Sequence, residues 1–171
     1  DELIHASLRD GVRLSLAKNI SFKHNDLDQL DSKLSNSSGK KIIIVEAVYS
    51  MDGDSPNIQA ITELAKHHSA ELIVDEAHSF GIAGANGLGL IEDKSLSSDI
   101  LATIYPLGKA VGSSGCFVTG SKILREYLIN FCRSFIYSTA PSLSIVKEVS
   151  KQLNQISSSN RSLVKKNKDY F

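Results

Sequence analysis

A carboxylate and an amine define the chemistry this sequence could carry out. Asp75 ends the apolar run Leu72-Ile73-Val74 inside ELIVDEAHSFG (71–81), and Lys109 follows the apolar run 100–104 on a turn holding Pro106, Gly108 and Gly112. A lysine in a desolvated site attacks carbonyls. In pyridoxal phosphate chemistry it holds the cofactor as a Schiff base, while a carboxylate keeps the pyridine nitrogen protonated so that the ring accepts electrons. Glycines beside the lysine let backbone approach a ligand closely. Glu46 and Ser50 end or follow another apolar run, and His78 follows Asp75. In an open α/β sheet, groups that follow strands converge on one crevice. Taken singly, each residue has a plainer role: Asp75 as a cap, His78 as a surface or core histidine, Lys109 as a solvated lysine.

Asp75-Glu76-Ala77-His78 also spells the strand end of a nucleotide-driven motor, with Asp75 on Mg²⁺ and Glu76 activating water. That chemistry requires a glycine-rich loop ending in GK[ST]. Ser37-Ser38-Gly39-Lys40-Lys41 lacks the hydroxyl after the lysine, and Leu107-Gly108-Lys109-Ala110 fails in the same way. Gly84-Ala85-Asn86-Gly87-Leu88-Gly89 has its glycines in the wrong order for a dinucleotide fingerprint and reads as a flexible loop.

The 171 residues suit one domain, 42% hydrophobic and 22% charged. Nineteen basic residues balance nineteen acidic ones, so there is no electrostatic case for nucleic acid or an anionic membrane. No apolar run nears the roughly 20 residues that span a bilayer, and no signal peptide is visible. Cys116 and Cys132 make neither a disulfide framework nor a metal spacing, as expected of reduced thiols in the cytoplasm. Met51 is the sole methionine and the chain opens inside a helical pattern, so a piece of a longer protein is expected.

The elements that must position these groups follow from periodicity. A loose helix is expected over Leu3–Leu16, a short strand at Ile20–Phe22, and a helix capped by Asn25 or Asp26 running to Leu34. Ile42–Val48 is a β-branched run that suits a strand buried on both faces. An amphipathic helix over Ile58–His68 follows. Further strands are expected at Leu72–Val74, Ile100–Ile104 and Gly115–Thr119, then helices from Ser121 to Phe131 and from Pro141 to Leu153. Ser157–Asn160 reads as a loop and Lys165–Lys168 as a solvated helix start. Strands alternating with helices imply an α/β domain with a mostly parallel sheet.

Several segments resemble the α-oxoamine synthases, which are fold-type I pyridoxal phosphate enzymes. They are His5-Ala6-Ser7, Phe22-Lys23-His24-Asn25-Asp26-Leu27, EAVYSMDGD (46–54), VDEAHSFG (74–81), Gly87-Leu88-Gly89, Gly108-Lys109 and Ile136-Tyr137-Ser138-Thr139, in the family's order and up to about residue 155. The resemblance implies a fold-type I large domain, a mostly parallel sheet flanked by helices. Residues 1–171 would be its central part, without the N-terminal segment and the C-terminal small domain. It implies pyridoxal 5′-phosphate as cofactor, no metal, and decarboxylative condensation of an amino acid with an acyl-CoA by a homodimer. Residues 22–26 tilt the expected substrates toward L-alanine and pimeloyl-CoA rather than glycine, and a non-catalytic partner subunit is a further alternative. By position, Lys109 matches the Schiff-base lysine, Asp75 the partner of the pyridinium nitrogen, His78 the donor to the phenolic oxygen, and His5 the ring-stacking histidine. Ser50 matches a cofactor-contacting serine and Glu46 an acid near the site. Ser138 and Thr139 fall near the neighbouring subunit's cofactor. One position departs from the family: Pro106 stands where a phosphate-binding threonine is usual and offers neither hydroxyl nor N–H. That leaves Thr103 or Ser113 as candidate phosphate ligands.

Overall fold

The computed structural model of the chain describes residues 1–156 and 158–170. Its centre is a four-stranded sheet of β1 (Lys41–Glu46), β2 (Ala70–Asp75), β3 (Ala102–Pro106) and β4 (Cys116–Gly120), in that spatial order. β1, β2 and β3 run parallel, and β4 returns antiparallel to β3. The antiparallel return follows from the short link between β3 and β4, since a parallel neighbour needs a crossover of a dozen residues or more.

The helices are α1 (Ala6–Leu14), α2 (Leu27–Ser35), α3 (Ile58–His67), α4 (Leu90–Asp93), α5 (Lys122–Phe131), α6 (Arg133–Ile136), α7 (Leu143–Leu153) and α8 (Ser158–Tyr170). Side-chain caps open α1, α2, α3, α5 and α7, whereas the residues preceding α4 and α6 supply none. Asp26 accepts the Gln29 N–H at 2.8 Å, Asn57 accepts that of Ala60 at 3.2 Å, and Ser121 and Ser142 cap α5 and α7. α3 lays Ile58, Ile61, Thr62 and Ala65 onto the sheet, and Leu30 and Leu34 of α2 join them. With Val45, Leu72, Val74, Ile91 and Ile100 they form the main core. A smaller core of Phe80, Tyr105, Leu107 and Val111 lies under the loops after β2 and β3, with Phe117, Val149 and Ile156 against it.

Several expectations are corrected. No strand forms at Ile20–Phe22; Phe22 is buried, and its carbonyl accepts the Glu2 N–H at 2.9 Å instead of a ladder partner. β1 stops at Glu46 rather than Val48: Ala47 N–H makes the last ladder bond, to the Asp75 carbonyl at 2.8 Å, and Tyr49 N–H already turns to the Asp54 carbonyl of its own loop. α1 is shorter than Leu3–Leu16: His5 caps its start, and Leu16, exposed and at positive φ, lies beyond its end. Ser157 of the expected loop lies outside the described residues, and α8 begins at Ser158.

Candidate active site

Two acids end neighbouring strands side by side. Glu46 of β1 and Asp75 of β2 are partners in the parallel register, so both project from the same face of the sheet at its carboxyl edge. Both are buried. Asp75 Oδ1 accepts the Ala77 N–H at 2.8 Å, which also gives Asp75 its turn-capping role, and no salt bridge reaches it among the described residues. Glu46 Oε1 is buried with no hydrogen-bond partner.

The turn after β2 divides the DEAH letters by role. Glu76 is fully buried; its Oε1 accepts the Ile91 N–H at 2.7 Å, and its Oε2 accepts the Leu90 N–H at 3.1 Å and the Ser79 hydroxyl. It therefore satisfies the first amides of α4 and is closed to water, which removes the water-activating role on structural grounds. Gly89 sits at φ +98° with Glu76 against it, and a Cβ there would collide with the carboxylate. His78 is half-buried on the same turn, and its Nε2 lies 2.7 Å from Lys109 Nζ.

Lys109 sits on the β3–β4 loop. Leu107 N–H donates to the Gly115 carbonyl and Ser113 N–H to that of Leu107, both at 2.9 Å. Val111 and Leu107 root this loop in the smaller core beside Phe80 of the His78 turn. The two loops also meet at Gly81, at φ +80°, where a Cβ would collide with that of Ala110. Glycine is required there, and its absent side chain lets the turn come close enough for His78 to reach Lys109.

The electrostatics follow from burial. Desolvation raises the Glu46 carboxyl above its ordinary range, and Asp75 beside it raises it further; the His5 amide, the His5 side chain and Lys109 oppose the rise. Desolvation likewise raises Asp75, against the Ala77 amide, Lys109, His5 and His78. His78 is lowered, first by burial, then by Lys109 and His5. Burial is thus the largest cause at all three groups, and Lys109 favours both carboxylates while opposing a charge on His78.

The structure thus brings His5, Glu46, Asp75, His78 and Lys109 into mutual electrostatic reach. His5 is exposed and caps α1, its Nδ1 meeting the Ser7 hydroxyl at 2.8 Å. Ser50 is exposed on the loop after β1, and no hydrogen bond joins it to the cluster among the described residues. Ser138 and Thr139 lie exposed after α6, with the Ser138 hydroxyl donating to the Ser134 carbonyl. Pro106 ends β3 opposite Cys116. Thr103 lines a cavity of about 510 Å³ with Phe80, Tyr105 and Phe117. Being one residue from Ile104, the partner of Asp75, it projects from the other face of the sheet and is no phosphate ligand for this site. Ser113 stays half-buried on the Lys109 loop. Sequence reasoning missed Gly81, although a glycine following DEAHSF is a readable sign of close backbone approach.

An amine-bearing loop and a buried carboxylate meet at the carboxyl edge of a mostly parallel α/β sheet, and the chain belongs to the aminotransferase class I and II family, whose sequence profile it matches over residues 1–171. Within that family it is 45% identical over 141 residues to a putative 8-amino-7-oxononanoate synthase of Halalkalibacterium halodurans, covering 82% of this chain and 36% of that protein. The structure of 8-amino-7-oxononanoate synthase from Francisella tularensis matches with a TM-score of 0.83 at 38% identity, over 95% of this chain and 48% of that one. Serine palmitoyltransferase from S. paucimobilis with bound PLP-myriocin aldimine matches with a TM-score of 0.87 at 31% identity, over 93% and 41%. The chain spans well under half the length of the curated relatives it matches.

The family's cofactor is pyridoxal 5′-phosphate, and the residues present fit its reactive ring. Asp75 is a buried carboxylate without a cation, as a protonated ring nitrogen requires, and Lys109 offers an exposed amine at the same edge. Pro106 and Thr103 contribute nothing toward its phosphate.

Proposed function

We propose that residues 1–171 are the central, cofactor-binding part of the large domain of an enzyme that joins L-alanine to a pimeloyl thioester with loss of CO₂. This is the 8-amino-7-oxononanoate synthase reaction of biotin biosynthesis. The observation that carries the reading is the 2.7 Å approach of Lys109 Nζ to His78 Nε2 beside the paired acids Glu46 and Asp75.

Bound pyridoxal phosphate supplies an electron sink for the amino acid's Cα. This chain's residues do the rest. Asp75, kept dry, holds a proton on the ring nitrogen. His78 would hydrogen-bond the cofactor's phenolic oxygen, and Lys109 Nζ, as the free amine beside it, would remove the Cα proton and later return one. His5, exposed at the open side, would pack on the ring and orient the thioester carbonyl. Ser50 approaches the cofactor from the loop after β1. Glu46 keeps a buried oxygen free for a donor brought by ligand. Ser138 and Thr139 face the neighbouring subunit's cofactor in a homodimer, a reading supported by the uncovered apolar side chains Phe135, Tyr137 and Leu143 around them. No helix among the described residues is long and apolar enough to cross a membrane.

In the complete enzyme, Lys109→Ala removes the yellow absorbance of lysine-bound cofactor and lowers turnover on the order of 10³-fold, the scale of a lost general base. Cofactor still fixed by borohydride in that variant overturns the assignment. Turnover with glycine but not L-alanine moves the protein to a sister synthase. No turnover with either, cofactor being bound, makes it a non-catalytic partner subunit.

A further inference from the structure

We propose that His24 is a positioning residue that holds the segments bearing His5 and Ser50 in register with each other, through an acid–imidazole–acid bridge from Asp1 to Asp54; its link to catalysis rests on His5 and Ser50 facing the cofactor. The His24 side chain is only 18% exposed. Its Nδ1 lies 3.1 and 3.2 Å from the two Asp1 carboxylate oxygens, and its Nε2 lies 2.9 Å from Asp54 Oδ2. Carboxylates only accept, so a ring nitrogen that carries a proton donates to the acid it faces, while the Asn25 side-chain amide lies 3.1 Å from Nε2. The ring edge also abuts Tyr49, 4.5 Å between centroids, and Tyr49 is almost fully buried.

Each end of the bridge organises a different segment. On one side, the Asp1 carboxylate also accepts the Leu3 N–H at 2.8 Å and the Asn25 N–H at 3.0 Å. Glu2 Oε1 accepts the His24 N–H at 3.1 Å. Residues 1–3 are thereby stitched to residues 22–25, and the chain runs directly on to His5. On the other side, Asp54 Oδ2 also accepts the Asn25 side-chain amide at 2.7 Å, while the Asp54 carbonyl accepts the Tyr49 N–H at 2.9 Å. Gly53 N–H donates to the Tyr49 carbonyl, again at 2.9 Å, so the loop holding Ser50 is closed upon itself and tied to His24. Asp52 also comes near His24 and Asp54, but a cation there would compete with the carboxylate hydrogen bonds that the ring already makes. The two segments share no strand; the His24 side chain bonds to both, and Asn25 adds a second link, its N–H to Asp1 and its side-chain amide to Asp54.

The test is hydrogen exchange and kinetics on the complete holoenzyme carrying His24→Ala. Amides of residues 2–5 and 49–54 are expected to exchange at least about tenfold faster, with those of β1 and β2 unchanged. The kcat is expected to fall about 10- to 100-fold, the cost of a small misplacement, with cofactor still fixed to Lys109 by borohydride. Unchanged exchange in either segment overturns the bridge. Faster exchange with unchanged kcat and KM overturns its positioning role. Should His24→Ala not fold, Asp54→Asn is read in its place, with faster exchange expected in 49–54 alone and unchanged exchange there overturning the bridge. Because exchange is measured without reference to chemistry, absence of bound cofactor in the unaltered protein strikes the proposed function and leaves the bridge standing.

Discussion

Helices α3 and α5 are each ten residues long and amphipathic, yet α3 buries four side chains and α5 buries none. α3 packs on β2 in the main core. α5 follows β4, whose residues are mostly exposed, and leaves Ile123 82% and Phe131 66% exposed. The same local code therefore produces a finished surface in one half and an unfinished one in the other. The half that completes its own core carries the strand-end acids, the His78 turn and the rooted base of the Lys109 loop. The half that does not carries Ser138 and Thr139, the residues assigned to a neighbour's cofactor. The proposed chemistry sits where burial is self-sufficient, and the proposed assembly sits where apolar faces are uncovered.

This contrast can be broken by substitutions on either side. Leu72 is fully buried in β2, so Leu72→Ala should cost about 2–5 kcal/mol of stability, read as a lower denaturant midpoint. A loss below 0.5 kcal/mol would show that the first half is not self-supporting. Gly81→Ala adds a methyl against Ala110 at a positive φ. It should cost about 1–3 kcal/mol and separate His78 from Lys109, lowering turnover more than it lowers the melting temperature would suggest; full activity would refute the close approach.

Glu46→Gln sharpens the electrostatic part. The folded state holds the Glu46 proton more tightly than the unfolded chain does, so its contribution is fully present below the unfolded carboxylate pKa of about 4.3 and is lost as pH rises through the raised folded value. Glutamine stays neutral and loses nothing. The melting-temperature advantage of Glu46→Gln over the unaltered cofactor-free protein should therefore grow between about pH 4 and pH 7; an advantage independent of pH sinks the argument. The smallest effect is expected from Ile123→Ser, within about 0.5 kcal/mol on unfolding, because the side chain is already in water. In the complete protein the same change should weaken self-association, measured by sedimentation, if α5 is covered by a second copy.

The sheet was largely legible. Ile43, Val45, Leu72 and Val74 announce buried strands by type, and Asp26 and Ser121 announce helix starts. The cluster of Asp75, His78 and Lys109 was legible as groups following strands. Less so was direction: nothing in Cys116–Gly120 says antiparallel, which is set by the length of the link before it. The Ile20–Phe22 strand failed because two apolar residues cannot make a strand without a neighbour to pair. Glu76 was ambiguous in sequence because its partners, Leu90 and Ile91, lie 14 and 15 residues away. His24 was invisible as a hub for the same reason, with Asp1 and Asp54 lying 23 and 30 residues from it.

The Lys109 loop is tied off at its base, Leu107 to Gly115, and held at its flank by Ala110 against Gly81. An amine on so short a leash cannot diffuse away when it lets go of its partner, so it returns at a very high effective concentration. Free small amines added to solution would compete poorly with it. In Lys109→Ala the same amines lose that rival but gain no tether, so any rescue should rise linearly with their concentration and stay far below the rate of the anchored group.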